Sequence, residues 1–397
     1  MRNECQTLLL EFSVNNIKEY NKGKLSFSFM PAQRVYDYVD SDSSVSRISD
    51  SILYDNKITA ISGINASGKT TLLDWLAFIL RLYFCNDSLL LQDHKELLDR
   101  FYDNQAICIN LLYKSNGKTY SAESYIERKM EDFRFTEEIV TEYVGSVITR
   151  RSLYSSDKYK EVMRRSLLNE EQKSFLEDGK SIVFSTISKE DISRVYICDE
   201  EVHEDFGNRV VLASLIGLPY FDSSIEYVFP NGKGLFAIKR KGKSAEDVTQ
   251  AKLLSMLSSG TLRGINFMGK LLNVLKYGGY ILLDEIEDHF NKTIVMNIIE
   301  LFMKKATNPN DAHLVFTTHY QELLDILPRN DSVYITTRND ELNLVVKNLA
   351  EFLKRNDMKK SDILFSDYYD LGTAVDYESY LSLLQNVESF VSSKEYS

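Results

Sequence analysis

The segment that most constrains this fold is Gly63-Ile-Asn-Ala-Ser-Gly-Lys-Thr70, which fits the pattern G-x-x-x-x-G-K-[ST]. A short apolar run at 58–61 precedes it, and apolar residues at helical spacing follow it at 70–83. Glycine lets the backbone approach a bound anion closely, and successive N–H groups can point into such a loop. The positive end of the following helix adds to the attraction. A strand, this loop and a helix in that order predict a phosphate-binding loop.

The side chains of this loop have distinct expected roles. The Lys69 ammonium would contact the β- and γ-phosphates of a nucleotide, and the Thr70 hydroxyl would bind Mg²⁺. Asn65 and Ser67 are expected to shape the loop. The motif predicts a bound nucleotide with Mg²⁺, and the predicted nucleotide-binding residues of the loop are Gly63, Asn65, Ala66, Ser67, Gly68, Lys69, Thr70 and Thr71.

Two adjacent acids, Asp284 and Glu285, follow the apolar run at 280–283. A buried strand places residues at its carboxyl end on the sheet edge where α/β proteins bind ligands. Asp284 is suited to hold Mg²⁺ through water, and Glu285 to orient or deprotonate an attacking water. An acidic surface turn is the alternative interpretation, and the phosphate loop makes the functional one stronger.

Two weaker features flank these acids. Leu257-Ser-Ser-Gly-Thr261 leads into a helical pattern, which suits an anion but is more often an ordinary helix cap. His319 follows the apolar segment 314–318, where a lone histidine is more often structural than functional. When all four segments occur in this order, the functional interpretation of both features becomes stronger.

Taken together, the phosphate loop, LSSGT, ILLDEIE and TTH resemble the ABC-type ATPases. In that superfamily two ATPase domains sandwich ATP, each presenting its serine–glycine signature to the nucleotide of the other. The resemblance implies that Glu285, His319 and Lys69 are catalytic, with Glu285 as the base and His319 sensing the γ-phosphate. It implies that Thr70 and Asp284 hold the metal. It also implies that a second copy's nucleotide is contacted by Ser258, Ser259 and Gly260.

This sequence departs from the transporter signature LSGGQ at Ser259 and Thr261. Gln92 is a candidate for the glutamine that the family carries after its first helix. Three segments, LSSGTLRGI, GGYILLDEIEDHFN and HLVFTTHYQELLD, resemble those of the soluble OLD-like "AAA" ATPases of bacterial anti-phage defence. That resemblance implies a homo-oligomer built from ATPase dimers and a separate effector, of the HNH or TOPRIM nuclease type. A DNA-repair or DNA-structure ATPase without a toxic effector is the alternative, and a nucleotide-binding scaffold without turnover is a third.

The resulting fold prediction is α/β, an ABC-type P-loop ATPase with a mixed α/β N-terminal lobe. A mixed α+β insertion would separate the phosphate loop from the signature. The predicted parts are 1–84 and 223–345 for the ATPase domain, 85–222 for the insertion, and 346–397 for a C-terminal segment. Predicted strands are 8–14, 25–29, 58–61, 280–283 and 313–317, with hairpins at 106–126, 224–239 and 333–346. Predicted helices are 70–83, 158–177 and 294–305, and 37–51 is expected to be a solvated loop.

Composition excludes several classes of protein. With 47 basic and 58 acidic residues in 397, the net charge of −11 argues against a surface coated by nucleic acid. No apolar run reaches the ~18 residues that a membrane span needs, and the N-terminal residues do not read as a signal peptide. The four cysteines are Cys5, Cys85, Cys108 and Cys198, and they are far apart in the sequence. A reducing cytoplasm is therefore the expected location of the protein.

Nucleic acid stays a candidate partner because basic residues cluster at 239–243, 150–151 and 164–165, although solvated turns are the better explanation of these clusters. No nuclease motif is recognised, and 203–205 (His-Glu-Asp) is better explained as a solvated loop. The Tyr-rich segment 365–397 is a candidate docking surface for a partner, and packing against its own domain explains it at least as well.

Overall fold

The computed structural model describes residues 7–35, 43–48, 51–177, 179–187, 194–197, 210–211, 213–214, 217–232, 234–366 and 377–392. The strands are β1 (Leu8–Asn15), β2 (Lys24–Ser28), β3 (Val45–Arg47), β4 (Tyr54–Asn56), β5 (Ile58–Ser62), β6 (Ile107–Ser115), β7 (Lys118–Lys129), β8 (Asp132–Tyr143), β9 (Tyr159–Arg164), β10 (Val195–Ile197), β11 (Ile225–Pro230), β12 (Leu235–Arg240), β13 (Glu246–Thr249), β14 (Tyr280–Leu283), β15 (His313–Thr318), β16 (Val333–Arg338) and β17 (Leu344–Asn348).

The described α-helices connect or flank these strands. They are α1 (Lys69–Phe84), α2 (Gln92–Phe101), α3 (Glu170–Phe175), α4 (Leu218–Phe221), α5 (Gln250–Met256), α6 (Ser259–Tyr277), α7 (Ile286–His289), α8 (Lys292–Met303), α9 (Lys360–Ser366) and α10 (Tyr377–Ser392). Within the described ranges, no helix combines the length and the apolar character that crossing a bilayer requires.

The central sheet has the strand order β10-β14-β15-β5-β16-β17. Its strands are parallel except at β17, which pairs antiparallel with β16 as the predicted hairpin requires. Parallel neighbours bring the carboxyl ends of β5, β14, β15 and β16 to one edge. The chain segments that follow those strands include the phosphate loop, the acid pair and His319, so the topology alone places them together.

Both faces of the central sheet are covered, which explains the continuous apolar character of its strands. Along β14, Tyr280 and Leu282 pack on one side with α1 and the sheet that contains β1. Ile281 and Leu283 pack on the other side with α6 and α8. Because successive side chains of a strand point to opposite faces of the sheet, β14 contributes side chains to both cores.

The second six-stranded sheet is antiparallel, in the order β2-β1-β6-β7-β8-β9. Its apolar side chains join those of α1 in one core, and most of α1 is buried all round. Strands from the N-terminal part and from the predicted insertion therefore share this sheet. The division of the chain into domains stays a prediction.

Most of the sequence-based elements are confirmed within one or two residues, and the α/β class is confirmed with them. The hairpins predicted at 106–126, 224–239 and 333–346 correspond to β6–β7, β11–β12 and β16–β17. The loop predicted at 37–51 is partly wrong, because β3 lies in it and pairs with β4. Residues 36–42 and 49–50 lie outside the described part.

The exposed helix predicted at 158–177 is wrong. The segment contains the edge strand β9, and only its end forms the short helix α3. Pairing with β8 overrides the charge pattern, and the turn after β9 carries Arg165 onto the fully buried carboxylate of Glu138, 2.7 Å away. Glu138 also accepts hydrogen bonds from Ser181 Oγ and from the backbone N–H of Ile182. The buried carboxylate on β8 therefore links this sheet to the turn after β9 and to residues 181–182.

Candidate functional site at the carboxyl edge of the central sheet

The backbone of the phosphate loop has a shape that only glycine fits at two positions. A Cβ on Gly63 would lie 2.4 Å from the backbone oxygen of Thr336. Gly68 has φ +97°, and a Cβ there would lie 2.5 Å from Leu344 Cδ2. Both contacts come from the β16–β17 hairpin, so the glycines let this hairpin close against the loop.

Polar contacts from the same hairpin support the loop between its glycines. The hydroxyls of Ser67 and Thr336 are 2.8 Å apart. Arg338 Nε donates to the carbonyl of Ala66 at 3.0 Å, where the chain has φ +61°. Ser67 thus shapes the loop, as its sequence position predicts.

The Lys69 ammonium contacts both the phosphate loop and His319. It donates to the carbonyls of Gly63 at 3.1 Å and Ile64 at 3.2 Å, and its Nζ lies 3.2 Å from His319 Nδ1. Burial lowers the pKa of Lys69, and the negative charges of Glu285 and neighbouring acids oppose that shift. The ammonium can therefore be stabilised further by an anion that enters the loop.

His319 links this lysine to the acid pair. Because the ammonium can only donate, Nδ1 accepts, and Nε2 then carries the proton of the neutral ring. His319 Nε2 lies 3.1 Å from Glu285 Oε1 and donates to it. Its backbone N–H donates to Glu287. The tautomer is set by Lys69, and the ring in turn orients Glu285.

The acid pair is held by two threonines. Asp284 Oδ2 accepts from the Thr70 hydroxyl at 2.8 Å, and Oδ1 accepts from the Thr317 hydroxyl at 2.5 Å. The backbone N–H of Glu285 donates to that same Thr317 hydroxyl at 2.7 Å. Thr70 and Asp284 therefore meet, and their hydroxyl and carboxylate oxygens are the hard ligands that Mg²⁺ takes. The residues present fit the metal.

A cavity of about 710 Å³ opens at this edge. It brings together residues of the phosphate loop with Glu285 and His319, as the sequence predicts. It also contains two arginines, Arg100 and Arg338, that sequence analysis misses. The lining residues are Asn65, Ala66, Gly68, Lys69, Thr70, Thr71, Arg100, Glu285, His319 and Arg338.

Comparison with known families decides the classification. Residues 58–325 match the family described as "AAA domain, putative AbiEii toxin, Type IV TA system". The match spans more than half of the chain. The chain belongs to this family.

Other comparisons add little to that assignment. No curated protein matches the chain. Among solved structures it is similar to cbiO1 from Clostridium perfringens, described as part of the ABC transporter complex cbiONQ, at 9% identity and a TM-score of 0.30. That similarity covers 83% of this chain and 93% of the other. Membership of the AAA-domain family, with the geometry above, supports a P-loop ATPase domain that binds nucleotide.

The serine–glycine segment of this AAA-domain protein forms the start of α6. Ser258 is the N-cap, and its hydroxyl accepts from the backbone N–H of Thr261 at 3.1 Å. The Thr261 hydroxyl donates to Asp222 at 3.0 Å. The structure thus shows the helix cap that sequence analysis left open. Ser258, Ser259 and Gly260 are exposed and do not line the cavity of their own chain.

Two weaker sequence predictions are also placed. Gln92 does not line the cavity, because it lies at the start of α2 and donates to Glu96 at 2.7 Å. Several predicted nucleic-acid contacts are already paired with carboxylates within the chain: Lys239 with Glu226, Arg164 with Glu161, and Arg165 with Glu138. Residues 203–205 lie outside the described part.

Two of the residues missed have a recognisable signal. Thr317 belongs to the TTH segment that ends β15, and Arg338 ends β16, so both stand at the carboxyl ends of parallel strands. Arg100 has no such signal, because α2 reaches the cavity only through tertiary packing.

The Thr317 hydroxyl is expected to orient the metal site. Thr317→Val keeps the side-chain shape but removes a donor to Asp284 and an acceptor for Glu285 N–H. We expect the Mg²⁺ concentration for half-maximal ATP hydrolysis to rise about 10- to 100-fold, the usual effect of losing a group that orients a ligand.

Thr59→Val is the matched control, since Thr59 is buried in the neighbouring strand β5 and its hydroxyl has no hydrogen-bond partner in the described structure. It should leave the Mg²⁺ dependence unchanged. Equal effects of the two variants would contradict an orienting role for Thr317.

Proposed function

We propose that this protein binds Mg-ATP in the cavity at the carboxyl edge and hydrolyses it between two copies of the chain. The observation that carries the proposal is the continuous set of contacts from Lys69 through His319 to Glu285, beside the Thr70–Asp284 pair. These contacts join the phosphate loop, a metal-ligand pair and a carboxylate suited to activate water. A phosphoryl-transfer site needs these three parts.

Each of these residues would act on a different part of the nucleotide. The loop N–H groups and Lys69 would bind the phosphates, which replace the carbonyls of Gly63 and Ile64 as partners of the ammonium. Thr70 and Asp284 would hold Mg²⁺, which when bound neutralises phosphate charge. Glu285 would orient the attacking water and accept its proton. Positioning and electrostatic stabilisation supply most of the rate enhancement in this chemistry.

His319 is placed to report on the occupant of the loop. Its Nδ1 accepts from Lys69, and a γ-phosphate would draw that ammonium toward itself. The ring is then released to donate to the phosphate or to reorient Glu285. The resemblance to ABC-type ATPases implies the same role.

Glu285→Gln separates binding from chemistry. The amide keeps the size of the side chain and removes the base, so hydrolysis should fall about 10²- to 10⁴-fold while ATP still binds. Steady-state phosphate release and equilibrium ATP binding measure the two effects. Lys69→Ala should instead lose ATP binding. A Glu285→Gln protein that hydrolyses ATP normally would contradict the assignment of the base.

The signature segment supports a site completed by a second copy. Ser258, Ser259 and Gly260 are exposed at the N-terminus of a long helix, where N–H groups and the positive end of the dipole favour an anion. They lie outside the cavity of their own chain. ATP that bridges two copies would shift the population toward the closed dimer.

Ser258→Asp tests this interface without removing the helix cap, because aspartate caps as well as serine does. The added negative charge should oppose a triphosphate presented by the second copy. We expect ATP-dependent dimerisation of the Glu285→Gln protein to be lost, as measured by sedimentation velocity, and turnover of the otherwise wild-type chain to fall.

Asn169→Asp adds the same charge at the exposed N-cap of α3 and should change neither result. Retention of the ATP-dependent dimer in Ser258→Asp would refute the shared site. So would full turnover by isolated monomers.

We further propose that nucleotide state controls a separate effector, of the HNH or TOPRIM nuclease type, in cytoplasmic anti-phage defence. Support comes from the family description, which names a toxin of a toxin–antitoxin system, and from the sequence resemblance. Helix α10 offers a protein-docking surface, since its described apolar side chains are exposed: Tyr380, Leu381, Leu383, Leu384, Val387 and Val391.

A defence role predicts that cells carrying this gene with its neighbours resist phage. Lys69→Ala should abolish the resistance because the effector would lose nucleotide control, whereas Arg355→Ala, an exposed residue paired with Asp357, should not. Plaque counts measure the effect. Resistance that is independent of Lys69 would argue against the role.

A further inference from the structure

Three cations, not one, face the cavity that the phosphate loop forms. Lys69 belongs to the motif, but Arg100 comes from the last turn of α2 and Arg338 from the end of β16. Both arginines are exposed. They come from separate elements, so the fold rather than a local motif brings them together.

Arg338 has part of its guanidinium committed and part unused. Nε donates to Ala66 and Nη1 donates to the carbonyl of Leu342 at 2.6 Å. Across the described chain it makes no further hydrogen bond or ion pair. Its anchoring fixes the guanidinium beside the loop while other N–H donors remain for a ligand.

Arg100 makes no hydrogen bond or ion pair with any described residue. Its guanidinium carbon lies 5.0 Å from the centre of the Phe101 ring, which supports the planar group. Elsewhere arginines such as Arg165, Arg329 and Arg355 meet carboxylates of this chain. Burial raises the pKa of Asp74, and the charge of Arg100 opposes that rise, so Arg100 lies within electrostatic reach of one acid. Its guanidinium nevertheless lines the cavity without a carboxylate at salt-bridge distance among the described residues.

The Tyr20 hydroxyl lies close enough to both arginines to feel the charge of each. This hydroxyl is buried and has no hydrogen-bond partner in the described structure. Burial raises the pKa of Tyr20, and the charges of Arg100 and Arg338 both oppose that rise. Both guanidinium groups are therefore within electrostatic reach of the same hydroxyl.

We propose that Arg100 and Arg338 form a phosphate clamp, which binds the oxygens of a nucleoside triphosphate from outside the phosphate loop. The proposal rests on the proposed function, since it adds ligands to the same site. Guanidinium donates in a planar fork that matches phosphate oxygens, and its charge persists at any physiological pH. The clamp would balance the negative charge that the Asp284–Glu285 pair places beside a polyphosphate.

Arg100→Ala is the decisive variant, because Arg100 has no bond to the loop that its removal could disturb. We expect the dissociation constants of Mg-ATP and of inorganic tripolyphosphate, measured by calorimetry, to rise about 10- to 100-fold each. Arg100→Lys should recover part of both affinities. Arg338→Ala should weaken both ligands too, and Arg355→Ala should weaken neither. Thermal unfolding should confirm that each variant is folded.

Unchanged affinity of Arg100→Ala for both ligands would overturn the clamp. Weaker ATP binding with unchanged tripolyphosphate binding would also overturn it, because the contact would then be with the nucleoside. Lys69→Ala distinguishes this failure from that of the proposed function. If Lys69→Ala loses both ligands and Arg100→Ala loses neither, only the clamp is wrong; if Lys69→Ala binds both normally, the phosphate-loop site is wrong.

Discussion

The contact between the Lys69 ammonium and His319 Nδ1 joins the two halves of the candidate site. On one side the ammonium satisfies two carbonyls of the phosphate loop, and on the other it sets the tautomer with which His319 donates to Glu285. The strand order makes this contact available, because β5 and β15 are parallel neighbours that end at the same edge. Any ligand that competes for the ammonium must therefore change the surroundings of the carboxylate.

The phosphate loop, the acid pair and His319 can be predicted from the sequence to lie at one edge of the sheet, because each lies in a short local pattern at the end of an apolar strand. Most elements of both large sheets can be predicted too, where alternation and apolar runs are strong. The helix predicted at 158–177 is wrong, because mixed charge suits an exposed helix but serves an edge strand equally well. Arg100 and Gln92 show the limit for the site, since only tertiary packing decides which residue of α2 reaches the cavity.

The β16–β17 hairpin contributes more to the site than its sequence indicates. Thr336, Arg338 and Leu344 contact the loop at Ser67, Ala66 and Gly68 in turn. Arg338 stands at the carboxyl end of a parallel strand, but no pattern marks Thr336 or Leu344 as functional, because their role follows from β16 being the neighbour of β5. The loop is thus braced along its length by a strand pair that lies far from it in the sequence.

The burial of α1 has a mechanical consequence. The helix begins at Lys69 and most of it is enclosed by the core that spans both six-stranded sheets. The phosphate loop therefore runs directly into a helix that the core encloses, so a displacement of the loop by nucleotide would be transmitted to the packing around α1. The start of α6 is exposed instead, and its serine cap keeps it in shape without help from a ligand. A second copy of the chain would therefore meet this segment already formed.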